Sequence, residues 1–570
     1  MGNENSLAVA RRAGIALCFM ALGALLLRLS SFIETHSSGK SGPYRTVVAA
    51  TAPEGWFGIL SSIPATWLLL AAWALGFTAV LVVFATRRHP RESTPDDLSI
   101  GNRHLSRKAH VRHIHRKLLA ATMICLVVGG AFAFFVALPA AITGQGQTNR
   151  GGVNLGNLSS VLSQAGQTSD SKGLGYSGQR KMVADSLGNV YLAYRKIPSG
   201  LDHYEVYVAV SRDHGKTWSD LGASPAAIVN APPLVNTSTE GGGNGADQRV
   251  PAVAVDSKGW VHVVWYGRDQ DYSGINDRQI KYVCWNGTQW STWVNISPVL
   301  GYSGQLYWQE HPVIVVDRND VLHVLWEGSD SSSGGLQQIK HSMSTDRGRT
   351  WSQWENTSPL QSSGQSRPDG VVDTSGNLYA AWYGGVLGQS GTRIKYARWD
   401  AGTGTWGFVK IVAGIEGFNQ KHVSMTIDRS NQLHLVWDGS DNAHANSLVK
   451  YSSLNANLTA TTWTAWTNVY PRSQLNQSDP TLSTGQGGMV FVAWQEWSGI
   501  DAASSDNAKA FIMQISQYST LTQLGTGFSP DNKWPVMPQD SSDGILRIAW
   551  LSGAGSPYTI CYSQTSTKNS

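Results

Sequence analysis

Seven times between residues 181 and 550 this chain repeats one line: an apolar run, a turn holding Asp or Gly, and a second run ending on an aromatic residue. The copies read "KMVADSLGNVYLAY" (181–194), "PAVAVDSKGWVHVVW" (251–265), "PVIVVDRNDVLHVLW" (312–326), "PDGVVDTSGNLYAAW" (368–382), "VSMTIDRSNQLHLVW" (423–437), "PTLSTGQGGMVFVAW" (480–494) and "PVMPQDSSDGILRIAW" (535–550). Their terminal aromatics, Tyr194, Trp265, Trp326, Trp382, Trp437, Trp494 and Trp550, are spaced 71, 61, 56, 55, 57 and 56 residues apart. A period of this length marks a repeat architecture. Such a unit cannot bury its own faces and must stack on neighbours.

Each unit holds further strands. A third is read in "YEVYVAVS", "QIKYVCW", "QIKHSMS", "RIKYARW", "SLVKYSS", "AFIMQIS" and "YTICYSQ", and a Trp-rich fourth in "QWSTWVNIS" (289–297), "TWSQWENTS" (350–358) and "TTWTAWTNV" (461–469). The 60 Gly, 23 Trp and only 15% charged residues suit short strands and tight turns better than long helices. Four antiparallel strands in each of seven units predict an all-β, seven-bladed β-propeller over residues 145–570. The seventh copy ends after its third strand. The stretch "GVNLGNLSSVLS" (152–163) is expected to supply the missing outer strand and close the ring without an open edge.

Residues 1–144 differ from the rest. Apolar runs at 14–33, 57–86 and 118–142 are each long enough to cross about 30 Å of hydrocarbon as a helix. They predict a membrane region with three transmembrane α-helices. A cleaved signal peptide is the alternative for the first run, although no clear small-residue cleavage site precedes the second. The segment 87–117 carries nine Lys/Arg and, with Arg11 and Arg12, is expected on the cytoplasmic side. The chain is then a multi-pass protein of the cell membrane, with lipid around its three spans and the propeller outside the cytoplasm.

Residues 1–144 hold 14 Lys/Arg against 6 Asp/Glu, and 145–570 hold the remaining 30 against 33, so the net charge of +5 belongs to the membrane region. The large unit has no nucleic-acid footprint. The basic loop either sets topology or touches anionic lipid. Its His at 89, 104, 110, 113 and 115 show no ligand spacing. Cys18, Cys125, Cys284 and Cys561 have no paired spacing, so neither a disulfide framework nor a metal site is expected. No P-loop, GxGxxG or HExxH motif suggests a cofactor.

Two stretches, "SRDHGKTWSD" (211–220) and "STDRGRTWSQ" (344–353), share Ser-x-Asp-x-Gly-x-Thr-Trp through Ser211, Asp213, Gly215 and Trp218, and through Ser344, Asp346, Gly348 and Trp351. Each lies between the third and fourth strands of its unit. The Asp carboxylate can accept turn amides, the Gly permits a tight backbone and the Trp can pack beneath the hairpin. The motif resembles the Asp-box, or BNR, repeat of sialidase-like propellers and related glycosidases and binding proteins, over about 150–570. The resemblance implies a structural turn on the face opposite the ligand site.

The residue taken to precede each inner strand is Arg180, Arg249, His311, Arg367, His422, Asp479 or Trp534. Equivalent positions surround one axis, so Arg180, Arg249, His311, Arg367 and His422 are candidate ligand-binding residues. An arginine fork recognises a carboxylate through two parallel hydrogen bonds. Each cation can instead pair with a neighbouring loop. Sialidases use three arginines on the sugar carboxylate and a Tyr nucleophile assisted by Glu. What the resemblance implies at the second-strand exits is a set of catalytic candidates: Tyr266, Tyr383, Glu327, Asp438 and Glu496. Asp269, Asp330 and Asp441 lie near the same exits, and Tyr307, Trp308 and Trp497 are candidates for sugar stacking or blade packing. Family sialidases have six blades and a full Phe/Tyr-Arg-Ile-Pro motif, whereas this chain has seven repeats and only partial matches. Binding of carbohydrate or another anionic cell-surface ligand is therefore expected first. Exo-sialidase hydrolysis is the alternative, and a protein-interaction scaffold is a third reading.

Overall fold

The computed structural model describes residues 153–568 apart from 177, 179, 200–202, 223–246, 269–277, 299–306, 358–362, 458–461, 473, 499–507 and 516–519. The chain divides into two compact units, Met1–Gln145 and Gly146–Ser570, and every described residue belongs to the second. The apolar runs at 14–33, 57–86 and 118–142 lie outside the described residues. Among the described residues, no helix is long and apolar enough to cross a membrane.

Seven sheets, each built on four antiparallel strands, form a seven-bladed β-propeller, and the inner strand of blade 6, Asn476–Gly485, also pairs in parallel with Asp540–Ser541. Blade 1 runs Met182–Ala184, Val190–Lys196, Glu205–Ser211 and Ser219–Asp220, from inner to outer strand. Blades 2 to 6 repeat that order from inner strands Gln248–Val255, Gln309–Val316, Gln365–Val372, Gln420–Ile427 and Asn476–Gly485. Blade 7 takes Asn532–Val536, Ile545–Ser552 and Tyr558–Ser566 from the end of the chain and Ser163–Thr168 from its start. Thr168 lies opposite Tyr558 and Ser163 opposite Tyr562, so the two ends close the ring.

The closing strand begins where the expected stretch 152–163 ends. Within that stretch, Leu155–Ser159 forms a 3-10 turn instead. Leu155 and Leu158, three residues apart, bury together against Phe491, Leu524, Leu546 and Trp550 of blades 6 and 7. That seam holds the segment away from the sheet edge until Ser163.

The terminal tryptophans are the cores of the blades. Trp265, Trp326, Trp382, Trp437, Trp494 and Trp550 have no exposed surface. A buried indole N–H needs an acceptor, and a Gln 17 residues upstream supplies it: Trp265 Nε1 donates to Gln248 Oε1 at 2.7 Å, Trp326 to Gln309 at 2.7 Å, Trp382 to Gln365 at 2.9 Å and Trp437 to Gln420 at 2.9 Å. In blade 7, Asn532 accepts from Trp550 at 3.0 Å. The Gln side chain lies where a Cβ of the glycine two residues past the Trp would stand (Gly267, Gly328, Gly384 and Gly439). The Trp-x-Gly exits are therefore glycine because the latch passes over them.

The Trp-rich fourth strands form a second device and are shorter than their sequences suggest, only two residues each in Val294–Asn295, Glu355–Asn356 and Thr467–Asn468. In each, the Asn accepts from a buried lysine of the third strand: Lys281 to Asn295 at 2.9 Å, Lys340 to Asn356 at 3.0 Å and Lys450 to Asn468 at 3.0 Å. The preceding Trp293, Trp354 and Trp466 place their rings under the same ammonium groups.

Between blades 3 and 4, His323 Nδ1 and His341 Nε2 lie 3.1 Å apart, stacked on each other and edged by Trp399. Burial, then the neighbouring His341, lowers the His323 pKa from its ordinary 6.5 to about 3. The folded state therefore resists a proton that the unfolded chain accepts below pH 6.5. Stability falls as pH drops from 6.5 toward 3, by about 2 kcal/mol between pH 6.5 and 5. Urea titrations at those two pH values should show this loss, and a His323→Phe variant should lose markedly less. Equal losses in both proteins would assign the effect to other groups.

Candidate functional site

Every inner strand opens with the same backbone irregularity. Arg180, Val250, His311, Arg367, His422, Asp479 and Trp534 have φ between 48° and 54°, a left-handed conformation that costs a non-glycine residue about 1–3 kcal/mol. The strand register shifts at this place in blades 2 to 7, which makes it a bulge. In blade 2 the bulge residue is Val250, so Arg249 is not equivalent to the others, contrary to the expectation from sequence. The proline after Val250, as after His311, Arg367, Asp479 and Trp534, marks the register. Arg249 instead pairs with Asp247 and lies over the Tyr204 ring.

The bulge exposes an amide, and the preceding blade captures it. Arg367 N donates to Glu327 Oε2 at 2.5 Å, Asp479 N to Asp438 Oδ1 at 3.1 Å and Trp534 N to Gln495 Oε1 at 3.1 Å. Each acceptor follows the terminal Trp of its second strand. Glu327 and Asp438, expected as catalytic candidates, thus fasten one blade to the next. They also hold the bulge histidines of their own blades. His311 Nδ1 lies 2.7 Å from Glu327, and His422 Nδ1 lies 2.8 Å from Asp438. An ionised carboxylate only accepts, so the His311 ring carries hydrogen on Nδ1 toward Glu327, whereas burial raises the pKa of Asp438 beside His422. Burial works against charge on Glu327, but His311 and Arg367 hold its pKa below the ordinary value. Burial also opposes charge on His422, yet Asp438 and Asp479 outweigh it and the His422 pKa is raised.

Glu496 does not join this group. It occupies the place that is glycine in blades 2 to 5, and its carboxylate serves the latch, accepting from Trp494 Nε1 at 3.0 Å and Gln477 Nε2 at 2.9 Å. Arg180 leaves the ligand face as well. It reaches across the ring to Asp369 of blade 4 at 2.9 Å and also donates to the Gly370 carbonyl. Asp369 further accepts from the Met425 amide at 2.7 Å and from Gly370 N at 2.8 Å. Burial pushes the Asp369 pKa up and that of Arg180 down, each against the pull of its partner. Asp330 and Asp441 face inward to Lys340 and Lys450. Asp269 lies outside the described residues.

What remains is centred on Arg367. Among the described residues its guanidinium has no hydrogen-bond or ion-pair partner, and it lies 3.9 Å over the Tyr176 ring. Tyr176 comes from the turn ahead of blade 1 and meets His311 edge-on at 4.8 Å and Trp534 at 6.2 Å. The turn is pinned by Arg195 on Asp170 at 2.5 Å and by Trp534 Nε1 on the Ser171 carbonyl at 2.9 Å. Arg367, Tyr176, His422, Asp479, Trp497 and Trp534 share a cavity of about 430 Å³. A larger cavity of about 990 Å³ runs along the inner strands, from Arg180 and Asp369 to the turns at their far ends.

Tyr383 and Tyr266 flank the centre. The Tyr383 ring is edge-on to His422 at 6.1 Å, and that of Tyr266 to His311 at 5.5 Å. Burial pushes the Tyr383 phenol up to about 12 and raises that of Tyr266 as well. Among the described residues neither hydroxyl is hydrogen-bonded to a carboxylate. Arg278 lies over Trp308, and Tyr307 is buried. Glu310, His311 and Glu327 each bring one possible ligand atom within 4.8 Å of the others. Arg278 already engages Glu310, while the His311 ring and the Arg367 amide engage Glu327.

The two Ser-x-Asp-x-Gly-x-Thr-Trp turns stand at the other end of the third strands. Asp213 Oδ1 accepts from Lys216 N at 3.0 Å and Thr217 N at 2.9 Å, and Oδ2 accepts from Thr217 Oγ1 at 2.6 Å. Asp346 accepts from Thr350 N at 2.9 Å and Thr350 Oγ1 at 2.6 Å. Ser211 and Ser344 accept from the amides of Gly215 and Gly348 at 2.7 and 2.8 Å. Trp218 meets Tyr562 edge-on at 5.1 Å, and Trp351 meets Tyr282 at 4.9 Å.

The fold defines a class, the seven-bladed β-propellers. No protein-family model and no curated protein matches the sequence. Sialidases and polysaccharide lyases are among its structural neighbours. An ulvan lyase of polysaccharide lyase family PL25, bound to -[GlcA(1-4)Rha3S]-, is 12% identical over 72% of this chain and 96% of its own, with a TM-score of 0.47. The intramolecular trans-sialidase from Ruminococcus gnavus, in complex with oseltamivir carboxylate, is 11% identical over 66% and 99%, with a TM-score of 0.40. The NanB sialidase from Streptococcus pneumoniae is 11% identical over 65% and 71%, with a TM-score of 0.40.

Proposed function

We propose that the cavity binds an acidic carbohydrate, whose carboxylate Arg367 receives. The observation that carries this reading is a half-buried guanidinium that, among the described residues, has no hydrogen-bond or ion-pair partner, Glu327 and Asp479 acting on it only at longer range. Its planar fork is supported by the Tyr176 ring, which leaves its donor edges for a ligand. A cavity of about 430 Å³ falls in the range of small-ligand sites, which favours a ligand over a purely structural scaffold. Binding is favoured over sialidase-type hydrolysis because that chemistry needs a Tyr activated by a carboxylate. Tyr266 and Tyr383 have no such hydrogen bond among the described residues. The three apolar runs before residue 144 are proposed as spans that hold the propeller outside the cytoplasm.

Calorimetric titration with sialyllactose and with uronic-acid oligosaccharides, beside their neutral parents, tests the reading. Arg367→Ala should weaken binding of the acidic sugars roughly 10- to 100-fold, the worth of a charge-assisted bidentate contact. It should leave the neutral sugars unchanged. Equal binding of acidic and neutral sugars would refute a carboxylate clamp. Turnover of a fluorogenic sialoside that disappears in Arg367→Ala would replace binding with the exo-sialidase reading.

A further inference from the structure

We infer that the ring-closing strand and the Arg367 site open and close as one unit, so that the propeller presents the site only while its two ends are paired. The consequence for a ligand, that binding and ring closure stabilise each other, rests on the acidic-sugar reading of Arg367 and adds a regulation of that site. The link is a strap, residues 168–176, between the closing strand and the Arg367 guanidinium. Thr168 ends the strand opposite Tyr558. Its hydroxyl donates to the Arg195 carbonyl at 2.7 Å and accepts from Asp170 N at 3.0 Å. Asp170 holds the Arg195 guanidinium, the Ser171 carbonyl accepts from Trp534 Nε1, and Leu174 is buried in the core shared by blades 1 and 7. Two turns fold the strap, with Gly173 N on the Asp170 carbonyl at 3.0 Å and Gly175 N on the carbonyl of Lys172, which lines the cavity, at 2.8 Å. A Cβ on Gly173 would stand 2.5 Å from Thr168 Cγ2, so the strap lies directly on the end of the strand. Tyr176 then carries the Arg367 guanidinium at 3.9 Å and meets His311 edge-on at 4.8 Å.

Both ends of the strap depend on the other for support. The closing strand is an outer edge, paired on one side only, and its register breaks between Gln164 and Gly166. Unlike the outer strands of the other blades, it does not follow the third strand of its sheet in sequence, so no hairpin turn ties it there. An edge held in this way belongs to the parts of a fold that open first. At the other end, Tyr176 has φ of 67°, a left-handed conformation that a non-glycine residue keeps only where its surroundings hold it. Anchors at Thr168, Asp170, Ser171 and Leu174 leave no free length of chain between the two ends. Detachment of the strand therefore draws the Tyr176 ring from beneath Arg367 and removes the support of its fork. An anion bound to that fork holds the ring in place and, through the strap, the strand. By linkage the two effects are equal in size.

Hydrogen exchange read by mass spectrometry on the full-length chain tests the unit from both ends. In Tyr176→Leu, with no ligand present, the amides of Ser163–Thr168 should exchange roughly tenfold faster than in the wild type. The outer strand Lys410–Ala413 of blade 4 should keep its wild-type rate, which checks the fold. With sialyllactose or digalacturonate added to the wild type at about ten times its Kd, the closing strand should exchange roughly tenfold more slowly, and lactose should have no effect. An acidic probe that protects the residues around Arg367 but not the closing strand would overturn the coupling and leave the Arg367 reading intact, as would a closing strand whose exchange is unchanged in Tyr176→Leu. If neither acidic probe binds, the Arg367 reading fails by itself, and Tyr176→Leu still decides whether strap and strand open together.

Discussion

Arg180→Ala is expected to destabilise the propeller by about 3–5 kcal/mol at pH 7, the cost of leaving one partner of a buried ion pair uncompensated. Asp369 is 1% exposed, and Arg180 is its one ionic partner among the described residues. The sign of the pH dependence follows from burial, which raises the Asp369 pKa. Without the guanidinium, a charged Asp369 is penalised most well above that pKa, and protonation relieves the penalty as pH falls. The deficit of the variant should therefore shrink between pH 7 and pH 4, and Arg180→Ala/Asp369→Asn should recover much of it at pH 7. Chemical denaturation of the three proteins at both pH values measures this. A single variant within 1 kcal/mol of wild type at pH 7 would mean that the cross-ring pair does not hold the fold. The contrast with Arg367 is informative: truncating Arg180 should lower stability, whereas truncating Arg367 should lower affinity.

Gly348→Ala should cost about 3 kcal/mol or more, from left-handed backbone strain together with overpacking. Gly348 has φ of 84°, and a Cβ there would overlap the hydroxyl and ring of Tyr282. Tyr282 is itself tied to His262 at 2.8 Å and packed against Trp351, so it has little room to yield. Arg349→Ala, one residue along the same exposed turn, should change the stability by less than about 0.5 kcal/mol. Equal effects of the two substitutions in a urea titration would show that the turn is not under this constraint.

Much of the architecture was legible before any coordinates. The spacing of Tyr194 and the six tryptophans counts the blades, because each terminal aromatic is the core of one sheet and a core residue cannot be skipped. The incomplete seventh repeat signals that the chain's two ends must meet. The place where they meet was not legible. Leu155 and Leu158 dock on blades 6 and 7 and delay the closing strand to Ser163, and only the assembled seam shows that.

The site was legible as a ring of positions and not as a set of roles. The sequence by itself determined that His311, Arg367 and His422 hold equivalent positions, each 15 residues before the terminal tryptophan of its repeat, with Arg180 14 before Tyr194. Only the tertiary structure decided that Arg180 meets Asp369 across the ring while the Arg367 guanidinium forms no ion pair among the described residues, that Glu496 stands in for a glycine, and that Val250 rather than Arg249 holds the bulge of blade 2. It also brought in Tyr176 and Lys172, which precede the first repeat and have no counterpart in the others. The physical reason is one of range. Periodicity records which residues share a local backbone geometry, set by neighbours a few positions away. Whether a charge is matched depends on groups 189 residues away, as Asp369 is from Arg180, and those distances exist only once the ring is closed.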